Sequence, residues 1–167
     1  MDITSYLKSA LILLVLIVIQ LTFLSIISIS KYNITPDLVI IMVIYIGYTR
    51  GHIAGMVSGF FAGLMLDILS GSFFGLAALS YSVAGFIPSY FSKPSGDKSK
   101  RSSMIGIIFL CTLVAYSIFF GVYFQGSSIS FIDIFLRYVI TTTFYTSVFG
   151  FIFTLISNRF DLSRSIN

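Results

Sequence analysis

Charged side chains are scarce in this chain, at 10% of 167 residues, against roughly 25% in an average soluble domain. Glutamate is absent, so all six acids are Asp. Hydrophobic residues reach 57%, with 18 Phe and a mean hydropathy of +1.01. A domain of this size buries only about 70% of its chain surface, so a water-soluble fold is excluded and the remaining solvent is lipid. A single cysteine, Cys111, leaves no intramolecular disulfide to form. A single histidine, His52, leaves no Cys/His cluster of metal-site spacing, which sets redox and zinc chemistry aside. The ten basic residues exceed the acids by four, yet they sit in short gaps between apolar runs. A nucleic-acid partner would want them gathered on one solvated face.

What is present is a series of apolar runs. The first, 9–30, lies between Lys8 and Lys31; as a helix its 22 residues rise about 33 Å, enough for a hydrocarbon core of about 30 Å. It is longer than the apolar region of a cleaved signal peptide, about 7 to 15 residues, although Ser28-Ile29-Ser30 resembles a small-x-small cleavage site. Pro36 and Asp37 open a second run, 37–50, as a rigid φ and an acid at the positive end of a helix dipole do. Its apolar part, 38–49, reaches only about 18 Å. Either its ends are drawn into the interfaces, or it is buried among other helices; a re-entrant pair with the next segment is the rival reading.

The third run, 52–70, carries Gly55, Gly59 and Gly63, in a series that Gly47 and Gly51 extend backwards at a spacing of four. Positions i±4 form one ridge on a helix, with Ala54, Ser58 and Ala62 beside it and Asp67 on its continuation. Glycine facing lipid forfeits packing, so this surface is expected to meet another helix. Runs at 73–91, 104–124 and 131–157 follow, with a hydrophilic stretch, 92–103, between the fourth and fifth. Six spans of about 20 residues make residues 1–167 one all-α integral-membrane domain, a polytopic helical bundle. With a cytoplasmic N-terminus, eight basic residues fall inside and only Lys31 and Arg137 outside; the positive-inside rule then places both termini and the 92–103 loop in the cytoplasm.

Charge inside a membrane needs a reason. Asp67 and Arg137 lie at similar depth near the outer ends of their helices. They read as a partner- or substrate-binding pair, as a structural ion pair, or as two side chains reaching separately for water. Tyr138, Thr142, Thr146, Gly150 and Thr154 share an i±4 ridge on the last run, a polar stripe expected to face inward. Tyr32, Tyr90 and Tyr123 read as interfacial anchors. An intramembrane aspartyl protease needs two carboxylates sharing a proton, and Asp67 has no second acid at mid-membrane depth. A pump needs a charged path through the bilayer, and the inner halves of these runs hold none. The reading is therefore no enzyme, no catalytic residue, no metal and no cofactor.

Residues 36–75 resemble the signature region of the MreD family, the bacterial rod shape-determining membrane proteins: Pro36-Asp37-Leu38 opens a helix, Arg50-Gly51 turns into a glycine-rich helix through Gly55, Gly59 and Gly63, and Asp67 precedes Gly71 and Gly75. His52 departs from the proline or small apolar residue more usual there. The resemblance implies a non-enzymatic subunit of the cell-elongation machinery in the bacterial inner membrane. Its implied partners are the single-span protein MreC and, through it, the actin-like MreB and the peptidoglycan synthases. The candidate partner-binding or helix-packing residues are those named, together with Arg137. The fold is expected to be similar to the substrate-binding subunits of vitamin transporters, and such a subunit is the alternative function. Those subunits usually carry a small-xxx-small surface on the first helix, which 10–30 lacks.

Overall fold

The computed structural model describes residues 3–24, 36–91, 100–125 and 131–160. Among them the chain is helical throughout, apart from short turns, and no strand occurs. The end of the first apolar run, the turn before Pro36, most of the basic 92–103 loop and the tail after 160 lie outside the described residues. Helix α1 (Ile3–Ile19) continues into a π turn, Gln20–Leu24. Next come α2 (Leu38–Arg50), α3 (His52–Ser70) and α4 (Leu76–Phe86), the last extended by a 3₁₀ turn, Ile87–Phe91. Helix α5 spans Lys100–Tyr123. The last rod is α6 (Phe131–Ile134), a π turn at Phe135–Ile140, and α7 (Thr141–Phe160). Two stretches, His52–Ser70 and Met104–Tyr123, are helices long and apolar enough to cross a membrane; α2 and α4 are apolar but shorter.

Helix α2 sits at the centre. Every residue from Val39 to Ile44 is buried, packed with Ile17 of α1 and Ile108, Cys111 and Ala115 of α5. Its shortness follows, because a helix shielded by its neighbours has no need to match the bilayer. It begins where the sequence places its start: Asp37 is extended, and its carboxylate accepts from the backbone N–H of Ile40 at 3.0 Å. It ends at Gly51, whose φ of +95° lets the chain reverse into α3 without the clash a Cβ would bring.

The glycine ridge meets α4, the other arm of its own hairpin, in the most extensive helix contact of the fold. Gly55 lies against Gly85, Gly59 against Tyr81 and Gly63 against Ala77, an antiparallel register that advances one turn at a time. A Cβ on Gly59 would stand 2.2 Å from the Tyr81 carbonyl oxygen, and one on Gly55 2.1 Å from that of Gly85. Backbone approaches backbone along three turns, a closeness only small residues permit. The opposite face of α3 shows Val57, Phe60, Phe61 and Ile68 to the outside. Phe144, Val148 and Phe151 do the same on α7.

Candidate functional site

At the start of α2 the helix leaves backbone N–H groups without intrahelical acceptors, and in a lipid-embedded bundle no water can take them. Side chains from three directions answer. Thr146 of α7 accepts from Asp37 N at 3.3 Å, Gln20 of the first π turn accepts from Val39 N at 3.1 Å, and the Asp37 carboxylate takes Ile40 N. The other carboxylate oxygen accepts from the hydroxyls of Tyr81 and Tyr116, the second at 3.1 Å. The Tyr116 hydroxyl also lies 3.4 Å from Thr146 Oγ1. Asp37 is only 5% exposed. It joins α2 to α4 and α5 directly and to α7 through Thr146, and the neighbouring helices enclose it.

Asp67 does the same for α4. Gly75, the residue preceding α4, has no side chain to cap with and adopts a left-handed φ of +90°. The Asp67 carboxylate reaches across from α3 and accepts from Gly75 N at 2.9 Å, Ala77 N at 3.0 Å, Ala78 N at 3.3 Å and the Ser72 hydroxyl at 2.9 Å. An acid near the end of one apolar run thereby becomes the cap of the next helix, where the dipole favours negative charge. Within the same connection Gly71 closes α3 in the left-handed region.

Between these two networks lies a cavity of about 640 Å³, at the end of the bundle where α1, α3 and α5 finish and α2, α4 and α7 begin. Asp37 and Asp67 both line it, with Tyr81, Tyr116 and Thr142. One wall is aromatic: Phe120 of α5 and Phe124, just past its end, face Tyr138, with ring centres 5.6 Å and 4.9 Å apart. The polar stripe of the last rod faces inward as expected, since Thr142, Thr146, Gly150 and Thr154 are buried. Tyr90 and Tyr123 are exposed, as anchors would be, though Tyr123 also borders the cavity.

The remaining candidates are dispersed. Pro36 is buried beside Asp37, and Gly55, Gly59 and Gly63 are sealed against α4. Arg50 and Gly51 form the α2–α3 turn at the opposite end, where His52 sets its ring edge against Phe86 at 5.6 Å. Arg137 is exposed within the second π turn, next to Tyr138. Among the described residues no three His, Cys or acidic side chains gather as metal ligands. Sequence reasoning missed Tyr81, Tyr116 and Gln20. The available signal was a tyrosine or an amide inside an apolar run, away from its ends, because such a group needs a buried partner.

No curated protein and no solved structure matches the chain. A family model does: that of the rod shape-determining protein MreD matches residues 2–156. With nearly the whole length covered, and the 36–75 motifs serving as helix start, turn, packing ridge and cap, the chain belongs to the MreD family of rod shape-determining membrane proteins.

Proposed function

We propose that this protein is a non-enzymatic, multi-pass subunit of the elongation machinery that acts by holding a partner's transmembrane helix, the partner being an MreC-like single-span protein linked to MreB-like filaments and peptidoglycan synthases. The family match across residues 2–156 carries this reading. The disposition of the polar groups is in keeping with it. Asp37, Asp67, Tyr81 and Tyr116 hold helices to one another, and the glycine ridge is occupied by α4, so the interior serves a firm body. The partner then meets the outer faces and rim, where Arg137 and the apolar side chains of α3 and α7 are exposed. The whole chain forms one unit in the inner membrane with both termini cytoplasmic, which puts the cavity end toward the outside.

Depletion tests the reading. Rod-shaped cells should round up, and purification from detergent should recover the MreC-like partner. Cells that keep their shape but come to require an external vitamin would establish the transporter-subunit alternative.

A further inference from the structure

The cavity has binding capacity of one kind left over. The groups that hold the Asp37 and Asp67 carboxylates are backbone N–H groups, hydroxyls and the Gln20 amide, all uncharged. Among the described residues, therefore, two acids face one cavity with neutral donors around them. The Tyr81 and Tyr116 hydroxyls donate toward Asp37, so both phenolic oxygens keep acceptor capacity, which Tyr116 shares with Thr146 at 3.4 Å. Thr142 adds a further acceptor. It lines the cavity, is only 8% exposed, and its hydroxyl has no hydrogen-bond partner among the described residues. Thr112, Ser117 and Thr154 bond back to their own helices, and the other unpartnered buried hydroxyls, Thr143 and Ser147, do not line the cavity. A ligand suited to this lining brings several donors and a positive charge. The aromatic wall formed by Phe120, Phe124 and Tyr138 is the surface over which a cation is further stabilised by the ring faces.

We propose that this cavity binds a primary ammonium group, carried either by an aminophospholipid headgroup or by a free small amine. Its volume of about 640 Å³ lies within the usual range for small-ligand sites, roughly 300 to 1,000 Å³. An ammonium has three donors and no acceptor, the complement of carboxylate, tyrosine and threonine oxygens. Anionic or purely acceptor ligands are disfavoured by the same lining.

The test uses the full chain in nanodiscs containing equal phosphatidylethanolamine and phosphatidylglycerol, followed by transfer to detergent and native mass spectrometry of retained lipid. Phosphatidylethanolamine should be retained in roughly tenfold preference. Thr142→Val, which removes a hydroxyl that holds nothing in the fold, and Phe120→Leu should each lower that retention about fivefold. Thermal unfolding provides the second arm. Stabilisation of delipidated protein by millimolar ethanolamine, lost in Thr142→Val, assigns the site to a free amine, and stabilisation by the aminolipid alone assigns it to the headgroup. Equal retention of the two lipids without stabilisation by ethanolamine overturns the proposal. So does unchanged binding by folded Thr142→Val and Phe120→Leu proteins.

Discussion

Asp67 is the residue whose meaning changes most between sequence and structure. Spacing alone set it level with Arg137, and its charge could have been a pairing group, a ligand or an anchor in water. The structure puts it at 2% exposure with both oxygens engaged at the start of α4. Asp67→Asn should therefore lower stability by about 2 kcal/mol. An amide NH₂ at Oδ2 takes the acceptor from Gly75 N and Ala78 N, and one at Oδ1 sets an N–H donor against Ala77 N, which keeps only its bond to Oδ2; in both cases the carboxylate's charge at the start of α4 is lost. Thermal unfolding in detergent measures this, and a further Arg137→Gln change should not restore the loss; restoration would show that the ion pair matters after all. Gly59 makes a second, steric case. Its missing Cβ leaves room for the Tyr81 backbone, so Gly59→Leu should cost about 3 kcal/mol or fail to fold. Val57→Leu, at a site 44% exposed on the outer face, should leave folded yield unchanged. Equal tolerance at both positions would place the ridge against lipid.

Helices α2 and α3 show what local sequence can and cannot carry. Pro36-Asp37 marks the start of α2, Gly51 its end, and the expected 52–70 run is the helix observed. These features are legible because capping, positive φ and apolar length are properties of neighbours in the chain. The polar interior was less so. Asp37 draws its partners from 44, 79 and 109 positions away, a relation that no local period encodes. The ridge partner was half legible: Ala77, Tyr81 and Gly85 repeat at the same spacing of four as Gly55, Gly59 and Gly63, but nothing local says the two rows face each other. The π turn at Phe135–Ile140 was hidden as well, since a π turn keeps the composition of the helix it interrupts. The Asp37 node gives a prediction about how elements are coupled. Tyr81→Phe and Tyr116→Phe each remove one hydroxyl from the same oxygen and should cost about 0.6 to 1 kcal/mol singly. The double variant should cost more than their sum by about 1 kcal/mol or more, because that oxygen is then left without a donor from either tyrosine. Strict additivity in unfolding experiments would show that another group fills the vacancy.

Taken whole, the molecule distributes polarity in the reverse of a soluble protein. Hydroxyls and two carboxylates are inside, and Phe60, Phe61, Phe144 and Phe151 are outside. Such an object is stable only where its exterior is met by lipid or by another apolar helix. Membership of the MreD family agrees with that setting. The direction in which it sits is a separate matter, governed by where Lys and Arg can remain in the cytoplasm. In the proposed six-span arrangement eight of the ten fall on the side of the two termini, the α2–α3 turn and the 92–103 loop. The cavity lies at the opposite end, with the starts of α2 and α4. A cysteine at Ser99 should therefore resist a membrane-impermeant maleimide in intact cells, and one at Ser127, between α5 and α6, should react. The native Cys111 is fully buried in α5 and should contribute no background. Permeabilising the cells should expose the Ser99 position, which separates protection by the membrane from protection by folding. Labelling at 99 and protection at 127 in intact cells would invert the molecule. The cavity would then face the cytoplasm, and any ammonium ligand would have to come from that side.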